Sequence, residues 1–462
     1  MPPHFQGQPH PNHGPQYGPG VPGHMPPAPR ARRGGSGILI AVIAVVLVVA
    51  VGGGVVWAVS ESGAVEFSFS GGGGGGDLKI AWAKETEQER LPGGSGPIPE
   101  TYATWLTEEL VVRASTDGVA AYRLTDGTQA WTVPLPDGAQ MCTAAATASG
   151  GHGVIAYGGR RCDRLGMIDL RAGKLARTVR VPTPKNAGKR PAETRLVVAG
   201  DMAVLDDEGA MTAFGISDGK QRWRQEDGDC SGDVWAMGDK RIVSERRCIS
   251  KRGMFVAAID PATGRDLSET FMGEMAVVLN VVSTDPVVLV IGPSPSGPPI
   301  PQVVVLDPQG KKTTEIPSQA AGRNLLAFGT TGLTSSAAIN QPAMFTRDNT
   351  LFAVNKAASP WSMVAFDLTT GKQLWTEKDN QGETKIIRVD DRGVWAVQTS
   401  SGDGHLVVTD PKTGETSVVR KGGLTPDWSS IKSSQVFEYR ETLVVTPTSR
   451  KIDVVPSLVV LR

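Results

Sequence analysis

Short apolar runs, separated by turns rich in Gly, Asp and Pro, recur along most of this chain. Three of them, T-L-F-A-V-N, S-M-V-A-F-D and K-Q-L-W-T-E, follow one another within residues 350–377. Short runs rich in Val and aromatic residues with such turns between them are typical of β-strands. After residue 59 no stretch has the apolar period of an amphipathic helix. The pattern therefore predicts an all-β protein.

One phrase of the sequence is repeated. It reads G-K-Q-L-W-T-E-K-D from Gly371, G-K-Q-R-W-R-Q-E-D from Gly219 and G-T-Q-A-W-T-V from Gly127, each with Trp four residues after Gly. Related turns without the Trp follow other apolar runs. The turn glycines are Gly127, Gly173, Gly219, Gly264, Gly310, Gly371 and Gly414. Their spacings of 46, 46, 45, 46, 61 and 43 residues are typical of propeller blades, each with four short strands.

The two ends of the repeat region predict how the ring closes. L-K-I-A-W-A-K, from Leu78, resembles the fourth strand of a repeat, but no first three strands precede it. S-L-V-V-L, from Ser457, lies where a third strand is expected and has no fourth strand after it. Pairing these two segments would remove exposed sheet edges. Seven turn glycines and one shared blade predict an eight-bladed β-propeller of four-stranded blades over residues 77–462.

The region before residue 77 has a different composition. Residues 1–37 are rich in Pro, Gly and His and are predicted to be a disordered cytoplasmic tail. Residues 38–59 carry no charge and, at 1.5 Å per residue, are long enough to cross a hydrocarbon core of about 30 Å as one transmembrane helix. Arginines before this segment favour an extracytoplasmic propeller in a single-pass protein of the cell membrane. Residues 60–76, which end in six glycines, are predicted to be a flexible linker.

Two alternatives concern this N-terminal region. A cleaved signal peptide competes with the anchor, because Ala58-Val59-Ser60 weakly resembles a cleavage site. The long segment before the apolar stretch favours the anchor. The tail can also be interpreted as a weak metal-binding segment, through His4, His10, His13 and His24.

Four cysteines lie in the predicted propeller, and an even number outside the cytoplasm suggests disulfides. Cys142 and Cys162 belong to the second blade, and Cys230 and Cys248 to the fourth. In each pair the first cysteine enters the innermost strand and the second lies in the loop between strands two and three, at the same face of the blade. We therefore expect the pairs Cys142–Cys162 and Cys230–Cys248. Free thiols or a metal site are the alternative, without a C-x-x-C spacing to support it.

Double arginines accompany the second cysteine of each pair, in G-R-R-C-D-R from Gly159 and E-R-R-C-I-S-K-R from Glu245. They are candidates for a basic surface that binds a carboxylate, a phosphate or an anionic polymer. Ordinary solvated loop charge is the alternative. The candidate ligand-binding residues are Arg160, Arg161, Arg164, Arg246 and Arg247.

The segment A-F-D-L-T-T-G-K-Q-L-W, from Ala365, resembles the A-x-D-x-x-T-G-x-x-x-W repeat of the pyrroloquinoline-quinone (PQQ) repeat propellers. That family includes eight-bladed quinoprotein dehydrogenases and outer-membrane assembly-factor propellers, and the resemblance covers about residues 77–462. An indole on the outermost strand is suited to docking between neighbouring blades. We therefore predict a structural docking role, with ligand binding as the alternative, for Trp82, Trp131, Trp223 and Trp375.

The resemblance implies two classes of function. Quinoprotein dehydrogenases bind PQQ and calcium at the propeller centre, commonly beside adjacent cysteines and an aspartate base. This chain has no Cys-Cys dipeptide, and no position matches the calcium ligands or the base. The hydrolase motif G-x-S-x-G, the zinc motif H-E-x-x-H and paired metal motifs are also missing from the sequence.

We therefore expect a non-catalytic binding or scaffold module for a protein or cell-envelope ligand, without cofactor or metal. A PQQ- and calcium-dependent dehydrogenase is the alternative, and a sensor that signals through the span is a third interpretation. Lys plus Arg equals Asp plus Glu, at 47 each, so net charge indicates no nucleic-acid partner. The apolar, Gly-rich insertion at 317–334 is a candidate either for covering one face of the propeller or for contact with a partner.

Overall fold

The structure is a computed structural model that describes most of the chain after residue 76. Neither the predicted tail, 1–37, nor residues 38–55 of the predicted membrane helix lie among the described residues, which contain no helix long and apolar enough to cross a membrane. The described residues are 56–59, 65–68, 77–84, 101–116, 118–159, 162–182, 194–207, 210–226, 228–232, 234–236, 238–293, 302–317, 344–356, 358, 360–380, 382–400, 403–422, 434–447 and 458–462.

The first described element is an antiparallel hairpin of β1 (Val56–Val59) and β2 (Val65–Ser68), in which Trp57 pairs with Phe67. It corrects two predicted boundaries, because four residues assigned to the membrane helix and four assigned to the flexible linker are strands. Both segments, V-W-A-V and V-E-F-S, are rich in β-branched and aromatic residues, which favour strands. The other linker residues, 60–64 and 69–76, lie outside the described residues.

Eight sheets follow, each a blade of the propeller, and the prediction of eight blades is confirmed. Two short strands, β3 (Asp77–Leu78) and β4 (Ile80–Lys84), precede the first complete blade. The first blade contains β5 (Thr101–Leu106), β6 (Leu110–Ser115), β7 (Gly118–Arg123) and β8 (Gln129–Pro134). After a 3₁₀ turn (Pro136–Gly138), the second contains β9 (Gln140–Ala144), β10 (His152–Gly158), β11 (Arg164–Asp169) and β12 (Lys174–Arg180).

The third and fourth blades differ in their innermost strands. The third contains β13 (Thr194–Ala199), β14 (Met202–Asp207), β15 (Ala210–Gly215) and β16 (Gln221–Glu226). In the fourth, the innermost strand is divided into β17 (Cys230–Ser231) and β18 (Val234–Ala236), followed by β19 (Ile242–Cys248), β20 (Gly253–Ile259) and β21 (Asp266–Gly273).

The last four blades complete the ring. The fifth contains β22 (Ala276–Thr284), β23 (Val287–Pro293), β24 (Gln302–Leu306) and β25 (Lys312–Pro317). The sixth contains β26 (Phe345–Arg347), β27 (Thr350–Asn355), β28 (Ser362–Asp367) and β29 (Gln373–Thr376). The seventh contains β30 (Glu383–Asp390), β31 (Gly393–Ser400), β32 (Asp403–Thr409) and β33 (Thr416–Gly422), and the eighth contains β34 (Ser434–Tyr439), β35 (Thr442–Pro447) and β36 (Leu458–Leu461).

The N-terminal strand closes the ring as predicted. Strand β4 pairs antiparallel with β36, with Trp82 opposite Val460, and thus becomes the outermost strand of the eighth blade. The preceding strand was not predicted as separate: β3 pairs parallel with the end of β33 and adds a fifth strand to the seventh blade. Its Leu78 is 1% exposed. One short segment therefore joins the last two blades.

The core is divided among the seams between blades. Eight clusters of buried apolar residues each join one pair of neighbouring blades, from the seam between the first and second to the seam between the eighth and first. Inner strands such as β14 are buried along their whole length, whereas the outer strand β12 alternates between exposed and half-buried residues. The seams therefore hold the ring together, and outer strands and connections remain for contacts with other molecules.

Candidate functional site

The repeated Trp of the outer strand lies against the turn glycine of the next blade. In all four cases a Cβ atom built on the glycine would lie 2.3–2.8 Å from the indole ring. The pairs are Trp82 on Gly127, Trp131 on Gly173, Trp223 on Gly264 and Trp375 on Gly414. These glycines have φ between 63 and 73°, a conformation that glycine adopts at little cost. Each glycine thus forms the turn and also leaves room for the neighbouring ring.

The indole N–H groups show how these seams differ. Three of them donate to the carbonyl three residues before the glycine: Trp82 to Leu124 at 3.0 Å, Trp223 to Pro261 at 2.8 Å and Trp375 to Pro411 at 2.9 Å. The Nε1 of Trp131 is buried without a hydrogen-bond acceptor. In the second blade Arg177 takes the place of the Trp and donates to the Ile216 carbonyl at 3.2 Å. These four indoles therefore lie in seams between blades.

The aspartate of the repeat shapes the same turn. The Asp367 carboxylate accepts hydrogen bonds from the backbone N–H groups of Thr370 and Thr369, at 2.7 and 2.9 Å, and from the Thr370 hydroxyl. Those bonds, led by the Thr370 N–H, hold the pKa of Asp367 below its ordinary value. Equivalent turns are made by Asp169, Asp260 and Asp410. The repeat thus encodes a turn, with a side chain that replaces backbone acceptors.

A buried carboxylate lies at the seam between the sixth and seventh blades. Glu377, two residues after Trp375, accepts hydrogen bonds from the Met363 N–H at 2.8 Å, the Gln398 amide at 2.6 Å and the Thr416 hydroxyl at 3.1 Å. Burial raises the pKa of this carboxyl above its ordinary value, and the hydrogen bonds offset part of the rise. This polar group was not noticed in the sequence, where Glu377 simply continues the repeated phrase.

Both predicted disulfides are present. Cys142 is bonded to Cys162 and Cys230 to Cys248, with Cα–Cα distances of 6.0 and 3.9 Å. The described residues contain no free cysteine, so the alternative of free thiols or a thiolate metal site is wrong. The first bond ties β9 to the connection between β10 and β11, and the second ties β17 to the last residue of β19.

The described candidate arginines come from two blades that are not neighbours. Arg160 and Arg161 lie outside the described residues. Arg164 begins β11 in the second blade, whereas Arg246 and Arg247 belong to the fourth. Arg246 and Arg247 were predicted to lie in a loop, and that prediction is wrong. β19 stays paired with β20 as far as Cys248, so both arginines are strand residues.

The two candidate arginines of the fourth blade, Arg246 and Arg247, already have partners. Arg246 binds both carboxylate oxygens of Asp266, at 2.6 and 2.7 Å. Arg247 donates to the Glu245 carboxylate at 3.2 Å and to the Ala276 carbonyl at 3.0 Å. These contacts give both arginines a role in fixing the fourth blade, and a ligand would have to compete with them.

The same end of the fourth blade exposes apolar side chains, which we call the blade-four patch. Its members are Ile249, Phe271 and Met275, which are 83, 50 and 52% exposed. The Phe271 ring packs on half-buried Phe255, with ring centroids 5.2 Å apart. The register places the patch beside the Cys230–Cys248 bond, since Cys248 pairs with Gly253 and Met254 with Gly273. A disulfide thus braces this exposed apolar surface.

Sequence reasoning missed the blade-four patch, although a signal was present. The outer strand D-L-S-E-T-F-M-G has Ser268 where four other blades have Trp, and carries Leu267 and Phe271. The outer strands of the second and third blades, K-L-A-R-T-V-R and Q-R-W-R-Q-E, carry basic residues along their length. An aromatic residue near the end of an outer strand therefore marked this blade as different.

The dehydrogenase alternative concerns two features of the described part of the chain, its acidic clusters and its cysteines. No group of three or more His, Cys, Asp or Glu side chains in it is placed to hold a metal ion. The cysteines are bonded in pairs 20 and 18 residues apart, and none is adjacent to another.

The predicted insertion at 317–334 lies, after Pro317, outside the described residues.

Comparison with protein families gives one match. The profile described as outer membrane protein assembly factor BamB matches residues 27–265 and 186–418 of this chain. The two matches overlap and together extend over 27–418, which is most of the sequence. A comparison with curated proteins gave no significant match.

Solved structures with a similar fold come from different kinds of protein. BamB from Moraxella catarrhalis is 14% identical, with a TM-score of 0.46 over 83% of this chain and 97% of its own. The computationally designed Ika8 protein is 13% identical, with a TM-score of 0.49 over 79 and 97%. The C-terminal WD40 domain of Sif2 is 11% identical, with a TM-score of 0.46 over 84 and 99%.

Proposed function

Because this chain belongs to the PQQ-repeat family described as outer membrane protein assembly factor BamB, we propose that it is a non-catalytic scaffold that binds another protein. The fold alone does not decide this, since one propeller supports many functions. The family supports the choice of a binding role, and the ligand class is narrowed from a protein or envelope component to a protein.

The observation that carries this proposal is the blade-four patch. Ile249, Phe271 and Met275 are half or more exposed, and the strand register places them at one end of one blade. Contiguous exposed apolar groups with polar surroundings mark interaction sites more often than isolated apolar residues do. Arg246 and Lys251 belong to the same end of the blade, and each is bound to an acidic residue of that blade. This combination is typical of an apolar interface centre with a polar rim.

We further propose that the scaffold is tethered to the cell membrane and faces away from the cytoplasm. The support is the uncharged segment 38–55, the part of the predicted span that precedes β1, with arginines on its N-terminal side. Replacing Val45 and Val49 with Arg places two charges within this segment, each costing about 2.5–3.5 kcal/mol for insertion at the helix centre. We expect the natural chain to remain in the membrane after alkaline extraction and the double variant to be released. Retention of the double variant would contradict the anchor.

The binding role is tested with the full chain in cells of the source organism. Covalent crosslinking followed by purification of the tagged chain would identify partners. The test variant replaces Ile249, Phe271 and Met275 with Ser, and the matched control replaces Leu374 and Val418, which are also exposed apolar residues of outer strands. We expect the test variant to lose its partner and the control to retain it. Equal recovery with both variants would remove the patch as the binding surface.

The enzyme alternative has its own test. The full chain in detergent is titrated with PQQ and calcium while tryptophan fluorescence is followed. We expect no saturable quenching up to about millimolar PQQ, an affinity near −4 kcal/mol. Calcium-dependent quenching in the micromolar range would contradict the proposal and would justify a screen for dehydrogenase substrates.

A further inference from the structure

The outer strand of the fourth blade differs from the other outer strands. β21 has eight residues and is the longest outer strand among the described residues. Among the described strands β21 pairs with β20 alone, so its second edge has no neighbouring strand in that part of the chain. Along this edge Leu267 is 43% exposed and Phe271 50%. Proteins usually protect free edges with charges, prolines or short strands, and an edge with exposed apolar side chains is suited to pairing.

The acidic groups of β21 do not protect its edge. Asp266 is held by both terminal nitrogens of Arg246, and Glu269 accepts from Lys251 at 2.7 Å. Both charges are therefore balanced by residues of the same blade. An incoming strand with uncharged side chains would not have to replace water around an unpaired carboxylate here.

The position of β21 is also fixed before any partner arrives. The Thr270 hydroxyl donates to the Gly310 carbonyl of the fifth blade at 2.6 Å. The disulfide Cys230–Cys248 joins β17 to the end of β19. A strand that is already held in place loses little conformational entropy on binding.

The molecule itself contains an example of strand addition. β33, the outer strand of the seventh blade, carries Val418 and Val419, and Val418 is 39% exposed. The separate segment β3 pairs in parallel with the end of this strand, and its Leu78 packs in the same apolar cluster as Val419. Another apolar outer strand of this ring thus receives an extended segment from elsewhere in the chain.

We propose that β21 receives an extended segment of the protein partner as a fifth strand of the fourth blade. Main-chain hydrogen bonds to the free edge would give affinity, and side-chain contacts would give specificity. The segment would be uncharged where it passes Asp266 and Glu269, with an apolar side chain against Phe271 and Phe255. This inference rests on the proposed scaffold function and specifies its binding mode.

The test uses a photo-crosslinking phenylalanine analogue introduced at position 271 of the full chain, in cells of the source organism. Position 374 is the matched control, because Leu374 is 51% exposed on the outer strand β29. We expect position 271 to crosslink one contiguous segment of a different protein, and position 374 not to do so. Crosslinks to lipid alone, to a second copy of this chain, or to nothing would overturn strand addition at β21.

A second measurement asks whether the contact is a paired strand. The crosslinked segment is synthesised as a peptide and added to the purified full chain in detergent. We expect the peptide to slow amide hydrogen exchange in Asp266–Gly273 at least tenfold, and the backbone N-methylated peptide to have no effect. Phe271→Lys should weaken peptide binding at least tenfold and Leu374→Lys should leave it unchanged. Equal binding of both peptides would overturn the inference, while a partner crosslinked elsewhere would preserve the scaffold function.

Discussion

The turn glycines of the repeat meet two demands at one position. Gly173 has a φ of 63°, and a Cβ there would lie 2.3 Å from the Trp131 ring. Gly151 has a φ of 76°, but nothing lies within 4 Å of a Cβ built on it. Alanine substitutions at these two glycines therefore separate the free-energy cost of the backbone conformation from that of the contact with the indole.

We predict that Gly173→Ala lowers the free energy of unfolding by about 2–4 kcal/mol, from backbone strain of about 1 kcal/mol and displacement of the indole. Gly151→Ala, with backbone strain alone, should cost about 1 kcal/mol. Chemical denaturation of both variants measures the difference. Equal losses would show that the seam accommodates the extra methyl group.

The Glu377 carboxyl makes one seam sensitive to pH. Burial raises its pKa above the ordinary 4.5, so the folded protein binds this proton more tightly than the unfolded chain does. The resulting stabilisation is complete below about pH 4.5 and is lost as pH rises through the raised pKa. A neutral amide at this position does not ionise, so it would retain this stabilisation as pH rises.

We therefore predict that Glu377→Gln changes the dependence of stability on pH. The melting temperature of the variant, relative to the natural protein, should be higher at about pH 8 than at about pH 4, because only the natural side chain becomes charged. Thermal unfolding at several pH values measures this difference. A constant offset at all pH values would mean that the natural carboxyl titrates normally.

At the scale of the element, two outer-strand tryptophans form a natural comparison. Trp223 packs on Gly264 and donates to the Pro261 carbonyl at 2.8 Å, whereas Trp131 packs on Gly173 but its buried Nε1 has no acceptor. Removing a hydrogen-bond donor leaves the buried acceptor unsatisfied in the first seam and relieves an unpaired group in the second.

We predict that Trp223→Phe costs at least about 1 kcal/mol more than Trp131→Phe, because both lose similar ring area and only the former loses a hydrogen bond. Urea denaturation of the two variants gives the comparison. A larger loss for Trp131→Phe would indicate that packing area, and not the hydrogen bond, determines the strength of these seams.

Strands and their order could be predicted because they rest on local patterns. The Gly-to-Trp phrase fixed the turns and the outer strands, and blade order then determined the cysteine pairing. For the blade-four patch, the sequence shows that β21 differs from other outer strands, but the exposure of Phe271 could not be predicted, since it depends on which parts of neighbouring blades reach it. The arginines were misplaced for a similar reason: the pairing of Arg246 and Arg247 with β20 extends a strand into what the sequence suggested was a loop.

At the scale of the molecule, the ring depends on a segment far away in sequence. β4 supplies the last strand of the eighth blade, and its Trp82 lies on Gly127 of the first blade and donates to the Leu124 carbonyl. Closure is further supported by Arg462, which donates to the same carbonyl at 2.7 Å. The eighth blade therefore requires both ends of the propeller region.

This arrangement predicts that the chain remains assembled after a cut within residues 85–100. A specific protease site placed between residues 84 and 101 should leave the fragment that contains β3 and β4 bound to the remainder, because Leu78 is buried and β4 is a paired strand. Size-exclusion chromatography should show one species, and two after denaturation. A matched cut within 69–76, after the β1–β2 hairpin, should release the preceding segment at once, since β3 and β4 then stay on the other side. Release of β3 and β4 without denaturant would mean that the ring is closed by the covalent connection and not by strand pairing.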